Sequence, residues 1–239
     1  MRRIVLAAMA AGLLAGTAAP VSAGIPMRVQ ATCPVDGQKF MWTTTASYST
    51  WGAELDAKPI GSWTFPLTIP QCPESNFPVY KETFSDAEQA AIRALVLTPE
   101  YAAVKDEASY YVLRFVMEKL EQPDAMAVAW MLMQSTWQIR EADPGRYGRY
   151  ATETVAAMDR ALPALKDSEP GDWWYLQIAT ANVQRQAGDF SGALQRLESL
   201  TGEMPDEGQP AERIALTRQL IAARSQAPGA LPDRRGEED

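Results

Sequence analysis

Two cysteines carry the most specific chemistry this sequence offers. The first opens TCPVDGQKF, residues 32–40, as a zinc-knuckle half-site opens, but Asp36 stands where a second cysteine is expected; the other cysteine opens QCPESNF at Cys72. Closed structural zinc takes four nitrogen or sulfur ligands, more than these residues supply. Thiols also pair in an oxidising compartment. Metal ligation, a covalent bridge and free thiols are therefore three readings of the same residues.

The chain contains no histidine. That removes Ser–His and Cys–His nucleophilic machinery, His-liganded zinc and the commonest general base near neutral pH. The hydrolase and nucleotide signatures GxSxG, SxxK and GxxxxGK are missing as well. Glu100, Asp106 and Glu107 invite a glycosidase reading, yet in a chain with 30 Asp and Glu their spacing carries no weight. Met126, Met131 and Met133 read as core gap-fillers rather than as a copper-lined groove. The expectation is a protein that is not an enzyme and needs no metal or cofactor.

Two residue sets could bind a partner. Trp42, Tyr48, Trp51 and Trp63 could form a sugar-stacking platform, although a small β lobe also uses aromatics as its core, which is the favoured reading. Tyr110, Tyr111, Arg140, Arg146 and Arg149 could line a groove for an extended peptide, against the commoner reading of arginines as a solvated face. With 22 basic against 30 acidic residues and a formal charge of −8, nucleic acid and anionic lipid surfaces are excluded as partners.

The elements that must position these residues fall into two blocks. Residues 24–83 are rich in Thr, Ser, Pro, Trp and Gly, with short β-like runs MRVQATC, KFMWTTT and GSWTFPLTI. Pro59, Pro66, Pro70, Pro73 and Pro78 keep such runs short and at sheet edges. Residues 84–226 have helical periodicity, opening with a capping box at Ser85 and Glu88 and restarting at Thr98–Pro99. Breaks at 122–124, 143–145, 168–171, 187–189 and 202–208 predict a series of antiparallel helical hairpins. Residues 227–239 read as a disordered tail.

Ahead of the β lobe, residues 1–23 have the plan of a cleavable leader: Arg2 and Arg3, an apolar run from Ile4 to Gly16, then Val21 and Ala23 before the cut. The run is shorter than the roughly 20 residues that span a bilayer. An exported, periplasmic protein with no integral membrane segment after cleavage is expected.

One helical stretch, DWWYLQIATANVQRQAGDFSGALQRLESLTGEMP, resembles a tetratricopeptide repeat in Ala181, Gly188-Asp189-Phe190, Ala193, Leu197, Leu200 and Pro205, and departs from it at Thr180 and Gln184. A weaker copy around Trp130 and Trp137 precedes it, and a helix from about Gln209 to Ser225 would cap the stack.

The pattern CPxxG with Phe40, then CPxxNF about forty residues on, then these helices, resembles a bacterial family, domain of unknown function 2225. The resemblance runs from about Thr32 to about Leu220. In that family the N-terminal module looks like a zinc ribbon of two CPxC pairs, followed by tetratricopeptide-like helices. Matched position by position, the former metal positions are Cys33, Asp36, Cys72 and Ser75, so each pair has lost one thiolate. A ribbon of that plan brings its two knuckles to one point, and export oxidises thiols, so the resemblance implies a Cys33–Cys72 disulfide ahead of residual metal binding or free thiols.

The expected fold is thus α+β, mainly α: a small N-terminal β-ribbon lobe and a tetratricopeptide-like α-solenoid. The expected function is an exported interaction or scaffold module that binds a protein or peptide on its helices. The alternative is a cell-wall polysaccharide module, binding or enzymatic, that uses the lobe's aromatics.

Overall fold

A computed structural model describes residues 24–232, so the expected leader at 1–23 and the end of the tail lie outside the described residues. The chain is α+β and mainly α, about 50% helical. Strands β1 (Ile25–Thr32) and β2 (Lys39–Ser47) pair antiparallel, with Thr32 opposite Lys39 and Val29 opposite Trp42. Alternation along a strand puts Val29, Ala31, Phe40 and Trp42 on one face, where they are half-buried, and leaves Arg28, Gln30, Lys39 and Met41 exposed on the other. A shorter pair, β3 (Thr50–Ala53) and β4 (Pro59–Gly61), follows. The run GSWTFPLTI contributes only Gly61 to a strand, since Pro66 and Pro70 offer no N–H to a ladder.

The described residues form eight α-helices: α1 (Asp86–Val96), α2 (Pro99–Val104), α3 (Ser109–Leu120), α4 (Ala125–Ile139), α5 (Pro144–Ala161), α6 (Pro170–Gln186), α7 (Phe190–Glu198) and α8 (Pro210–Ala222). Polar side chains start most of them. Ser85 and Glu88 form the reciprocal capping box, and Thr98, Asp124, Asp143 and Asp189 each accept a backbone N–H in the first turn of the helix that follows. In the α6–α7 hairpin Ala181 and Ala193 are both fully buried where the helices meet, and Gly188 turns the chain at φ +88°. One helix expected to run from Pro99 past Leu120 is instead broken over 105–108 into α2 and α3. The cause is tertiary: Ala108 N–H donates to Tyr150 Oη (3.1 Å), and Tyr150 in turn donates to Glu107 (2.6 Å).

The apolar residues form two cores. The larger joins α3 to α8 and takes in Ala57 from the N-terminal lobe. The smaller is centred on Cys33, Cys72 and Phe77, with Ile92, Tyr101, Val112 and Val116 from α1, α2 and α3. The lobe is therefore anchored to the first helices through its cysteines. The tail expected from residue 227 is held in place as far as it is described: Leu55 N–H donates to Gly229 O (2.6 Å), and Ala230 bridges to Glu54. Its composition is that of a free tail, but its backbone carbonyls meet donors on the lobe and on α6, Leu55 N–H and the Arg185 guanidinium.

Candidate functional site

The two cysteine loops are copies of one turn. Cys33 N–H donates to Gln38 O and Gly37 N–H to Cys33 O, both at 2.9 Å; Cys72 N–H donates to Phe77 O and Asn76 N–H to Cys72 O, again at 2.9 Å. Each turn places its fifth residue in the left-handed region, Gly37 at φ 76° and Asn76 at φ 55°. The residues between are equivalent too. Asp36 Oδ1 accepts from Gln38 N–H (2.9 Å) and Ser75 Oγ from Phe77 N–H (3.4 Å).

Cys33 and Cys72 are joined in a disulfide with Cα atoms 5.3 Å apart, and both are fully buried. Of the four positions that the resemblance marks as metal ligands, the two thiols are thus consumed by each other and the two oxygens are engaged within their own turns. Among the described residues no three Cys, His, Asp or Glu side chains converge. Tyr101 Oη donates to Ser75 O (3.0 Å) and Asn76 Nδ2 to Asp106 (2.9 Å), which fastens the second turn to α2 and the residues after it.

Beside this staple lies a cleft of 630 Å³ between the inner face of the β1–β2 ribbon and the body of the protein. Val29 and Trp42 form the ribbon wall, Ile69 and Tyr80 the floor from the extended loops, and Tyr110 and Leu113 the wall from α3. Thr68 Oγ1 donates to Thr43 O (3.1 Å) and Tyr110 Oη to Leu67 O (3.1 Å), so the loop is tied to the ribbon on one side and to α3 on the other. Tyr80 Oη donates to Glu121 (2.8 Å). Burial pushes both phenols up, and for Tyr80 the Glu121 contact pushes further, so both stay neutral donors. At the rim Lys81 pairs with Glu88 and, at 3.5 Å, with Glu121. The cleft offers apolar and aromatic walls with neutral hydroxyls.

The structure brings one residue from each expected binding set, Trp42 and Tyr110, to the cleft, and gathers Tyr111, Arg146 and Arg149 in a separate cluster beside Tyr150 and Glu107. Tyr111 is buried, stacked on Tyr150 at 4.4 Å, with the Arg114 and Arg149 guanidiniums 4.6 and 5.1 Å from its ring. Arg149 pairs with Glu107 at 2.7 Å and Arg146 with the same carboxylate at 3.5 Å, so these two serve the α2–α3 break. Arg140 is corrected outright. Its side chain is only 8% exposed and donates to Glu54 (2.6 Å) and Asp56 (2.8 Å), which makes it a tie between α4 and the lobe instead of a partner surface.

Among the aromatics, Tyr48 and Trp51 are exposed, with Tyr48 edge-on to Phe65 at 5.2 Å. Trp63 is half-buried against Gly24, where an added Cβ would meet its ring at 2.4 Å. Tyr80, Ile69 and Leu113 had no signal in the sequence, because the cleft exists only once the ribbon lies over α3. Comparison with family models, with curated proteins and with solved structures gives no match.

Proposed function

We propose that this protein is an exported, non-catalytic interaction module of the bacterial cell envelope that holds a segment of a partner protein or peptide. The observation that carries the reading is the cleft under the ribbon, walled by Trp42, Tyr80 and Tyr110 and built beside a covalent staple. A preformed apolar groove with a few fixed hydroxyls suits an extended chain whose side chains alternate into it. The buried disulfide fits the oxidising compartment to which the leader-like residues 1–23 would send the chain. The equivalent cysteine turns support the resemblance to the zinc-ribbon family, and the Ala181/Ala193 crossing with Gly188 at its turn supports a tetratricopeptide-like stack.

The test places a photo-crosslinking residue at Thr68, exposed at the cleft, and at Glu141, exposed in the turn that follows α4. A discrete adduct in living cells from position 68 alone, lost in Trp42→Ala, is expected; equal adducts from both positions, or none from 68, sink the reading. The exposed Tyr48 and Trp51 favour a second reading, polysaccharide binding on the lobe. It predicts co-sedimentation with purified cell wall that Trp51→Ala abolishes without unfolding the protein.

A further inference from the structure

The loop from 199 to 209 carries the chain from α7 to α8 past the first turns of α6 and encloses a second cavity, of 480 Å³, remote from the ribbon. Trp174, Tyr175, Ile178 and Pro205 form its apolar walls. Its charged residues come from three elements: Arg213 from α8, Asp172 from α6, and Asp206 and Glu207 from the loop. Arg213, 9% exposed, lies with its guanidinium 4.9 Å from the Tyr175 ring and makes one long hydrogen bond, Nη1 to Glu54 O at 3.4 Å.

No carboxylate pairs with Arg213 among the described residues, whereas Arg140, Arg149 and Arg196 each have one within 2.7 Å. α8 opens at Pro210, another lining residue, so the positive end of its dipole lies at the cavity. Three further lining residues, Asp172, Asp206 and Glu207, are exposed and form no ion pair with described residues. A buried guanidinium without a counter-ion is costly, and a tyrosine face offsets only part of that cost.

We propose that this cavity binds a free di- or tripeptide as a zwitterion, with the peptide's α-carboxylate on Arg213, its apolar side chain against Trp174 and Ile178, and its ammonium group at Asp206 and Glu207. The guanidinium fork matches a carboxylate in two parallel hydrogen bonds, which a lysine at this position would not. The volume is within the range of small-ligand sites, roughly 300 to 1,000 Å³. The site does not depend on the ribbon cleft, and either can fail alone.

The experiment is calorimetric titration of the folded chain with three probes: the dipeptide Ala-Phe, its C-terminal amide and its N-acetyl derivative. Ala-Phe is expected to bind, the amide to bind weaker by on the order of tenfold, and the N-acetyl form weaker by about fivefold. In the double variant Asp206→Asn/Glu207→Gln, whose side chains are exposed and carry no core, the N-acetyl penalty disappears while the amide penalty stays. Arg213→Gln removes the amide penalty if it folds; if it does not, the acid-to-amide comparison on the unaltered protein decides. Equal affinity for acid and amide, an N-acetyl penalty unchanged in the double variant, or no binding of Ala-Phe at millimolar concentration overturns the proposal.

Discussion

Arg140 donates from one nitrogen to both Glu54 and Asp56, and Asp56 is fully buried. Burial pushes the Asp56 carboxyl above its usual range more strongly than Arg140 pulls it down. Arg140→Met therefore strands a buried carboxylate, and a loss of about 3 to 5 kcal/mol is expected. A folded-state value above the unfolded one means that protonation favours the fold, so the deficit should shrink as pH falls. Urea midpoints for Arg140→Met, Asp56→Asn and the double variant check this; strictly additive losses would show that the pair does not interact. Glu88 has the opposite sign. The Lys81 ammonium and the Ser85 N–H lower its carboxyl to about 2 from 4.5, so its contribution is present above pH 4.5 and drains away as pH falls toward 2. Glu88→Gln should flatten the stability curve in that window alone, and an unchanged slope there would assign the acid sensitivity to other carboxylates.

At the scale of elements the disulfide is the main determinant of the N-terminal lobe. Neither ribbon has more than two strands, and a two-stranded hairpin is marginal by itself. Linking residues 39 apart stabilises by about 4 kcal/mol in the chain-entropy model. Cys33→Ser/Cys72→Ser is expected to lose about that amount and to give a separate, earlier loss of the lobe's near-ultraviolet signal; a single unshifted transition would mean that packing on α1 to α3 suffices. The pairing was legible only through the resemblance that CPxxG and CPxxNF carry, which implied it. The hairpin turns were legible for a local reason, with Asp143-Pro144-Gly145 and Gly188-Asp189 sitting at the breaks they announce. The α2–α3 break was not. It contains no Gly or Pro, and it is set by Tyr150 and Arg149 from some forty residues away. Nor was the cleft, since Tyr80 and Leu113 acquire a shared surface only through the docking of ribbon on helix. Arg140 and Tyr111 looked like surface residues because composition does not reveal a buried partner such as Asp56 or Tyr150.

Across the whole molecule, the N-terminal lobe and the late helices are clamped by the chain's last described residues. Arg185, fully buried in α6, donates from Nη1 to Ser225 O (2.5 Å) and Ala227 O (2.9 Å), and its Nε donates to Asn182 (3.0 Å). Two residues on, Gly229 O accepts from Leu55 N–H, with the Cα so close that an added Cβ would stand 2.8 Å from Leu220 Cδ1 and 3.1 Å from Leu55 Cδ1. This last segment therefore joins α6, α8 and the 54–57 loop, and that same loop receives Arg140 from the end of α4, Trp137 Nε1 on Asp56 O (3.2 Å) and Arg213 on Glu54 O. A chain ending at Gln226 loses one acceptor for the buried Arg185 and the whole contact with Leu55, a destabilisation of about 3 kcal/mol at roughly 1 kcal/mol per bond and more for the charged donor. Hydrogen exchange separates clamping from mere packing: the Leu55 amide should exchange at least about tenfold faster in the shorter chain while amides of the α4 interior keep their protection relative to global unfolding. Unchanged Leu55 exchange in the chain ending at Gln226 would leave the last residues as a passive cover and put the whole burden of joining lobe to helices on Arg140 and the disulfide.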